Sequence, residues 1–253
     1  MVRLGQHFLA DANLLAAIVR DAELEGDEVV LEVGGGEGAL SRALAPRARA
    51  LHVIELDGRL REPLGAVAAE HPNVSIHFGD AMRLDLGGLD PAPTAVVSNL
   101  PYSIATPLIL RTIAELPALE RWTLMVQREI ADRLRASSGT RAYGAPSVLV
   151  QLACAITLLR MVDPAVFTPR PLVGSALVRL ERHGPAAAEP LVRLVRAAFS
   201  HRRKALARSV ETAGLGVRRE DVAAALVALG LPADARAETL SPEQFADLAE
   251  ALC

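Results

Sequence analysis

The sequence predicts an α/β protein: a parallel sheet with helices on both faces, followed by a small all-helical domain. Three observations predict it. Between Val29 and Ala136, short apolar runs alternate with helix-like stretches, as parallel strands require, because each must be joined to the next by a crossover. The first run passes directly into Gly34-Gly35-Gly36-Glu37-Gly38, a strand-to-helix turn that lets backbone approach a ligand. Beyond residue 183 strand-like runs cease and only helical spacing remains.

The elements follow in order. Residues 1–28 are polar with a helical pattern and contain Gly5-Gln6-His7-Phe8-Leu9. Val29–Val33 is the first strand and Ala39–Leu44 the helix after the glycine turn. A second apolar run, Ala50–Ile54, ends in Glu55, and the charged amphipathic stretch Arg59–Glu70 follows. Val74–Phe78 ends in Gly79-Asp80, and Thr94–Val97 ends in Ser98-Asn99. Pro107–Ala114 reads as helix, Trp122–Val126 as a fifth strand and Glu129–Ala136 as helix. After Gly139 the rhythm changes: Pro146–Cys154 suits a helix, and Ala155–Val162 and Val173–Leu180 suit late strands paired antiparallel. Pro185–Pro190 is a Pro/Ala-rich joint, and the helical patterns beyond it break near Gly214, Gly230 and Pro232. The division expected is a catalytic domain over 1–183 and a helical domain over 184–253.

With 253 residues, 51% hydrophobic, the chain can bury one sizeable core, or a core and a small second domain. No apolar run approaches the roughly 18 residues of a membrane span. The sequence opens without the basic start and apolar stretch of a secretory signal, so a cytoplasmic protein is expected. Cys154 and Cys253 make neither a disulfide framework nor a metal cluster. The net charge of -3 does not announce a nucleic-acid binder, yet distribution matters more than the sum. Between Leu191 and Val210 lie Arg193, Arg196, Arg202, Arg203, Lys204 and Arg208 with no acid among them, and they are expected to share a helical basic face.

In a doubly wound sheet, ligands sit beyond the carboxyl ends of the strands. Four strand ends carry Gly34, Glu55, Asp80 and Asn99. A carboxylate at Glu55 can accept both hydroxyls of a ribose. The loop alone is ambiguous, because Gly34-x-Gly36-x-x-Ala39 also fits a dinucleotide fingerprint. Asp80 and Asn99 favour S-adenosyl-L-methionine, since a carboxylate at Asp80 can accept from its adenine amino group. Hydride transfer has no special need for Asn99-Leu100-Pro101-Tyr102.

That tetrapeptide suits methylation of an aromatic amine. Such a nitrogen loses its proton readily only after attacking the methyl group, so it needs aiming rather than a strong base. The Asn99 side-chain oxygen and the Leu100 carbonyl can hold its two N–H bonds. Pro101 fixes the turn and brings no competing N–H, and Tyr102 can stack on the base. Catalysis would then be mostly positioning. An isolated Asn-x-Pro-x is more often a plain turn; this one gains meaning from the three strand ends before it.

Together these segments resemble the bacterial small-subunit rRNA adenine dimethyltransferases of the KsgA type. The resemblance also runs through Phe167-Thr168-Pro169-Arg170-Pro171-Leu172-Val173-Gly174-Ser175-Ala176, Ala198-Phe199-Ser200-His201-Arg202-Arg203-Lys204-Ala205-Leu206 and Arg236-Ala237-Glu238-Thr239-Leu240-Ser241. It implies a Rossmann-like S-adenosylmethionine-dependent methyltransferase sheet. It implies two methylations on each of two adjacent adenosines near the 3′ end of 16S rRNA, in the assembling 30S subunit. It implies a cofactor pocket using His7, Leu9, Gly34, Gly36, Glu55, Asp80 and Asn99, with Phe167 stacking opposite Tyr102 in the manner of flipped-out bases. From the residues alone, Phe167 also suits the core and His7 a helix cap. Arg202, Arg203 and Lys204 would contact rRNA phosphates. Nothing demands more than a monomer.

Two positions depart from the family. Gly35 stands where proline is usual, which predicts a looser loop and weaker cofactor binding. Gly174 stands where aspartate is usual, altering a turn or an RNA contact. The competing readings are a methyltransferase of the antibiotic-resistance type acting on large-subunit rRNA, a nicotinamide-dependent oxidoreductase and a non-catalytic assembly or transcription factor.

Overall fold

The computed structural model describes residues 8–9, 11–168, 173–201 and 203–252, with only the backbone of residues 8, 9 and 168. The strands are β1 (Phe8–Leu9), β2 (Val29–Val33), β3 (Ala50–Glu55), β4 (Val74–Phe78), β5 (Ala95–Asn99), β6 (Arg121–Gln127), β7 (Cys154–Val162), β8 (Phe167–Thr168) and β9 (Ser175–Arg182). The helices are α1 (Ala12–Ala22), α2 (Ala39–Leu44), α3 (Arg61–Glu70), α4 (Ala105–Glu115), α5 (Arg128–Leu134), α6 (Ala145–Gln151), α7 (Glu189–Phe199), α8 (Leu206–Thr212), α9 (Arg219–Ala228) and α10 (Pro242–Ala251).

One sheet runs in the order β4-β3-β2-β5-β6-β9-β7, and β1 and β8 form a separate antiparallel pair. The pairs β3·β4, β2·β3, β2·β5 and β5·β6 are parallel. β9 runs antiparallel to β6, from Arg121 opposite Glu181 to Gln127 opposite Ser175. β7 lies beyond β9 at the edge. The parallel sheet foreseen in the sequence is therefore a mixed one. Val29–Val33 is buried at every position, the signature of a central strand covered on both faces. The edge strands β4 and β7 are less covered, each mostly half-buried or exposed.

The chain winds outward from β2 through β3 to β4, then returns to β5 beside β2. Strand order reverses there, and the ends of β2 and β5 part. Their pairing runs from Val30 opposite Ala95 to Leu31 opposite Val96. Beyond it the Val33 N–H donates to Ser98 Oγ at 2.8 Å. A serine hydroxyl thus replaces a ladder partner where the strands open a crevice, so the Val33 N–H is satisfied there. On the outer side the ladder continues, with Gly34 N–H donating to the Ile54 carbonyl at 2.8 Å and Gly79 N–H to the Glu55 carbonyl at 2.9 Å.

The described chain forms two compact units, 1–131 with 155–182 and 132–154 with 183–253. This corrects the expected division at 183, because residues 132–154 belong to the helical unit. Tyr143 and Phe245 explain it. The buried Tyr143 hydroxyl donates to the Leu240 carbonyl at 2.9 Å, and its ring meets Phe199 edge-on at 5.9 Å, which in turn lies 5.7 Å from Phe245. Aromatic burial of this kind dominates small cores. α10 starts with a reciprocal cap, Ser241 Oγ accepting from Gln244 N–H at 3.2 Å and Gln244 Oε1 from Ser241 N–H at 2.9 Å, which satisfies donors that a helix start leaves open.

Candidate active site

The crevice at the β2/β5 switch point is a cleft of ≈ 270 Å³ lined by residues from four strand ends, among them Gly34, Gly36, Glu55, Asp80 and the whole turn from Asn99 to Ile104. Its size is that of a small-ligand site, a few hundred Å³ on the order of magnitude. Gly34, Gly36, Glu55, Asp80, Asn99, Leu100, Pro101 and Tyr102 are all brought together in it.

Gly34 adopts φ +87, and a Cβ there would lie 3.4 Å from Pro101 Cδ and 3.6 Å from the Asn99 carbonyl oxygen. A left-handed backbone and close approach to the facing turn both favour glycine. The glycine turn and Asn99-Leu100-Pro101-Tyr102 therefore abut, though 65 residues separate Gly34 from Asn99. Gly35 has a different reason. A Cβ there would lie 2.4 Å from Val53 Cγ1 and 3.2 Å from Leu64 Cδ2, both core side chains. The space a proline ring would occupy is filled by this chain's own core, so Gly35 marks tight packing under the loop.

Glu55 is 4% exposed. Its Oε2 accepts from Gly36 N–H at 2.9 Å and its Oε1 from Asp57 N–H at 2.8 Å. Two backbone donors fix the carboxylate, and a carboxylate has about four acceptor sites, so it can still accept ligand hydroxyls. Asp80 Oδ1 accepts from Met82 N–H at 2.9 Å, and Arg83 Nε lies 3.5 Å from Oδ2. The Leu100 N–H donates to the Met125 carbonyl at 3.1 Å and the Ile104 N–H to the Pro101 carbonyl at 3.1 Å. Asn99 is thus the last residue of β5, two residues beyond the expected strand end, and its backbone is held by β6. The Tyr102 hydroxyl and Ser175 Oγ share a hydrogen bond at 2.7 Å, anchoring the ring to β9.

Phe167 is placed elsewhere. It is 3% exposed and packs with Leu14, Ile18 and Leu177 in the core; it does not line the cleft. His7 and Arg202 lie outside the described residues, as does the Leu9 side chain; the Leu9 backbone pairs with Phe167. Arg203 and Lys204 are not helical as expected. They lie in the turn between α7 and α8, Arg203 exposed and Lys204 half-buried, with the Lys204 N–H donating to the His201 carbonyl at 2.9 Å. Arg193 and Arg196 are exposed on α7 and Arg208 on α8.

Sequence reasoning missed two buried groups. Glu32, two residues before Gly34, is 1% exposed, and Ser41 Oγ donates to its Oε2 at 2.6 Å. Burial pushes its carboxyl up to about 8; the Ser41 hydrogen bond opposes this and the Glu55 charge adds to it. A carboxylic acid that is neutral at pH 7 thus sits beneath the glycine turn. Ser175 is the other, and only its contact with Tyr102 across 73 residues reveals it.

The donor set fits S-adenosylmethionine. A glycine cradle stands beside one buried carboxylate, a second carboxylate follows the adjacent strand β4, and an Asn side chain ends β5 across the switch point. The cofactor supplies an electrophilic sulfonium methyl.

Comparisons with known proteins agree with this geometry. "Ribosomal RNA small subunit methyltransferase A" of Rubrobacter xylanophilus is 45% identical over 248 residues, covering 97% of this chain and 92% of that protein. The crystal structure of a dimethyladenosine transferase from Plasmodium falciparum superposes with TM-score 0.81 at 25% identity, covering 96% of each chain. That of the 23S rRNA methyltransferase ErmE gives 0.68 at 31% identity, covering 97% of this chain and 99% of that one. The family profile described as "Ribosomal RNA adenine dimethylase" matches residues 2–253, and the chain belongs to that family.

Proposed function

We propose that this enzyme transfers methyl groups from S-adenosyl-L-methionine to the N6 amines of two adjacent adenosines near the 3′ end of 16S rRNA, giving dimethyladenosines during small-subunit assembly. It would act as a cytoplasmic monomer on the assembling 30S particle. The observation that carries the chemistry is the abutment of the Gly34 turn and the Asn99–Tyr102 turn at the switch point. The small-subunit assignment is supported by relatives of that name at 41–45% identity over nearly the whole chain. No helix among the described residues is long and apolar enough to cross a membrane.

In this reading Gly34, Gly36, Glu55, Asp80 and Asn99 hold the cofactor, with His7 and Leu9. Glu55 accepts from the ribose hydroxyls and Asp80 from the adenine amino group. The Asn99 side-chain oxygen and the Leu100 carbonyl accept the two N–H bonds of the target amine and aim its nitrogen at the methyl. Tyr102, anchored through its hydroxyl, offers one ring face to the base. After attack, the nitrogen carries the positive charge and gives up its proton readily. Asn99 is an aiming acceptor, not a base. Arg202, Arg203 and Lys204 contact phosphates, positioning the RNA without reading its sequence.

The test is primer extension across both rRNAs after incubation with wild-type enzyme and with Asn99→Ala. Wild type should mark the small-subunit adenosines alone. Asn99→Ala should lose methyl transfer and keep rRNA binding. Dimethylation by Asn99→Ala would defeat the mechanism, and marks on the large-subunit rRNA would defeat the substrate assignment. Replacing Arg202 and Arg203 with Glu should weaken 30S binding and spare cofactor binding; unchanged methylation of 30S across a salt series would remove the phosphate role.

A further inference from the structure

Arg111 lies on α4, six residues after the helix begins, about 9 Å along its axis at 1.5 Å per residue. α4 continues directly from the Asn99–Ile104 turn, which is one wall of the cleft. The Arg111 side chain crosses to the other wall. Its Nη1 donates to the Ala81 carbonyl at 2.5 Å and its Nη2 to the Leu84 carbonyl at 2.7 Å. Its Nε donates to Glu115 Oε1 at 2.8 Å, one helical turn on. The Arg111 side chain is 15% exposed.

The segment it grips is a single tight turn. The Arg83 and Leu84 N–H groups both donate to the Asp80 carbonyl, at 2.8 and 2.9 Å. Such a turn leaves carbonyls at its far end without backbone partners and with a negative dipole end. Those of Ala81 and Leu84 are taken by one planar cation, whose donors sit in a fixed fork. Gly79, Asp80, Ala81 and Met82 line the cleft from this side. An ordinary i,i+4 ion pair with Glu115 contributes little; the reach to two carbonyls roughly 30 residues away, 30 to Ala81 and 27 to Leu84, distinguishes this arginine.

We infer that Arg111 is a positioning residue for the cofactor: by tying the 80–84 turn to the helix that carries Asn99–Ile104, it sets the spacing of the two cleft walls and hence the affinity for the adenosine half of S-adenosylmethionine. The inference rests on the reading that the 79–82 wall holds the cofactor. Lysine could supply charge but not the fork, so Arg111→Lys should reproduce most of the defect of Arg111→Ala.

Isothermal titration with S-adenosylmethionine and with S-adenosylhomocysteine, together with kcat at saturating cofactor, tests this on the full chain. Arg111→Lys and Arg111→Ala should each raise both dissociation constants about tenfold and raise KM for the cofactor in parallel, with kcat near wild type. General destabilisation would act differently: it removes active molecules, lowering kcat, and leaves the affinity of the remainder intact. Unchanged cofactor affinity in a folded Arg111→Lys protein would overturn the inference. If neither Arg111 variant folds, Arg111→Gln, which keeps a planar amide donor but cannot span both carbonyls, should still raise both dissociation constants by a few-fold; no change there would overturn the inference too. Asp80→Ala separates the two layers. If it weakens cofactor binding and the Arg111 variants do not, the wall holds the cofactor and the positioning role is wrong. If Asp80→Ala has no effect, the reading of that wall fails and the inference falls with it.

Discussion

Replacing Glu32 with glutamine should change how stability depends on pH, in a direction and size that the structure sets. The Glu32 carboxyl is raised from 4.5 to about 8, chiefly by burial. An acid with a raised folded-state pKa binds more protons in the folded state than in the unfolded state across that interval. Its stabilising contribution is complete below pH 4.5 and is lost as pH rises towards 8. The slope approaches 1.4 kcal/mol per pH unit, so between pH 6 and pH 8 the wild type should lose about 2 kcal/mol through this group alone. Glutamine keeps an oxygen able to accept from Ser41 Oγ and has no proton to lose. Subtracting the urea-unfolding curve of wild type from that of Glu32→Gln cancels every other titrating group. The difference should grow in favour of the variant by about 2 kcal/mol from pH 6 to pH 8. A difference that stays flat over that range would refute the claim that Glu32 is neutral beneath the glycine turn.

Gly35→Ala should destabilise by about 1–3 kcal/mol, the usual range for forcing a methyl into a filled core. Its penalty should shrink in a Val53→Ala background, and equal penalties in both backgrounds would exonerate Val53. Gly174→Asp, by contrast, should be tolerated, since among the described residues a Cβ there meets only the Val162 carbonyl oxygen, at 3.8 Å; a melting temperature well below wild type would contradict this. His77 donates to or accepts from His52 Nδ1 at 3.1 Å, and burial, then His52, hold its pKa below 6.5. Its contribution is therefore present above pH 6.5 and lost as pH falls below it; His77→Gln should flatten that acid limb, and an unaltered limb would exclude His77. Ser175→Ala and Tyr102→Phe should each lower kcat/KM about five-fold, the worth of roughly 1 kcal/mol of hydrogen bond, and together no more than either alone. Additive losses would show that the two hydroxyls act separately.

Much of the architecture was legible because strand and helix periods are local properties. Val29–Val33, Val74–Phe78 and Ala39–Leu44 are read from sequence with the bounds they have in the fold. The site was legible for a related reason: a parallel sheet delivers every strand end to one edge, so Gly34, Glu55, Asp80 and Asn99 had to be neighbours once the alternation was recognised. Motif and spacing together therefore pointed to the cleft and its ligand class, and the resemblance carried by those motifs pointed to the family.

What only tertiary structure decided concerns partners distant in sequence. Nothing local shows that the Phe167 side chain is buried; the fold places it in the cluster that includes Leu14 and Leu177. Residues 132–154 read as a continuation of the catalytic domain, yet Tyr143 finds its hydroxyl and ring partners at Leu240 and Phe199. Nothing in the sequence pattern singled out a role for Arg111 or Glu32. Their roles come from which carbonyls, hydroxyls and apolar walls the fold places around them. Hydrogen bonding and desolvation act over a few ångströms in space, whatever the separation along the chain.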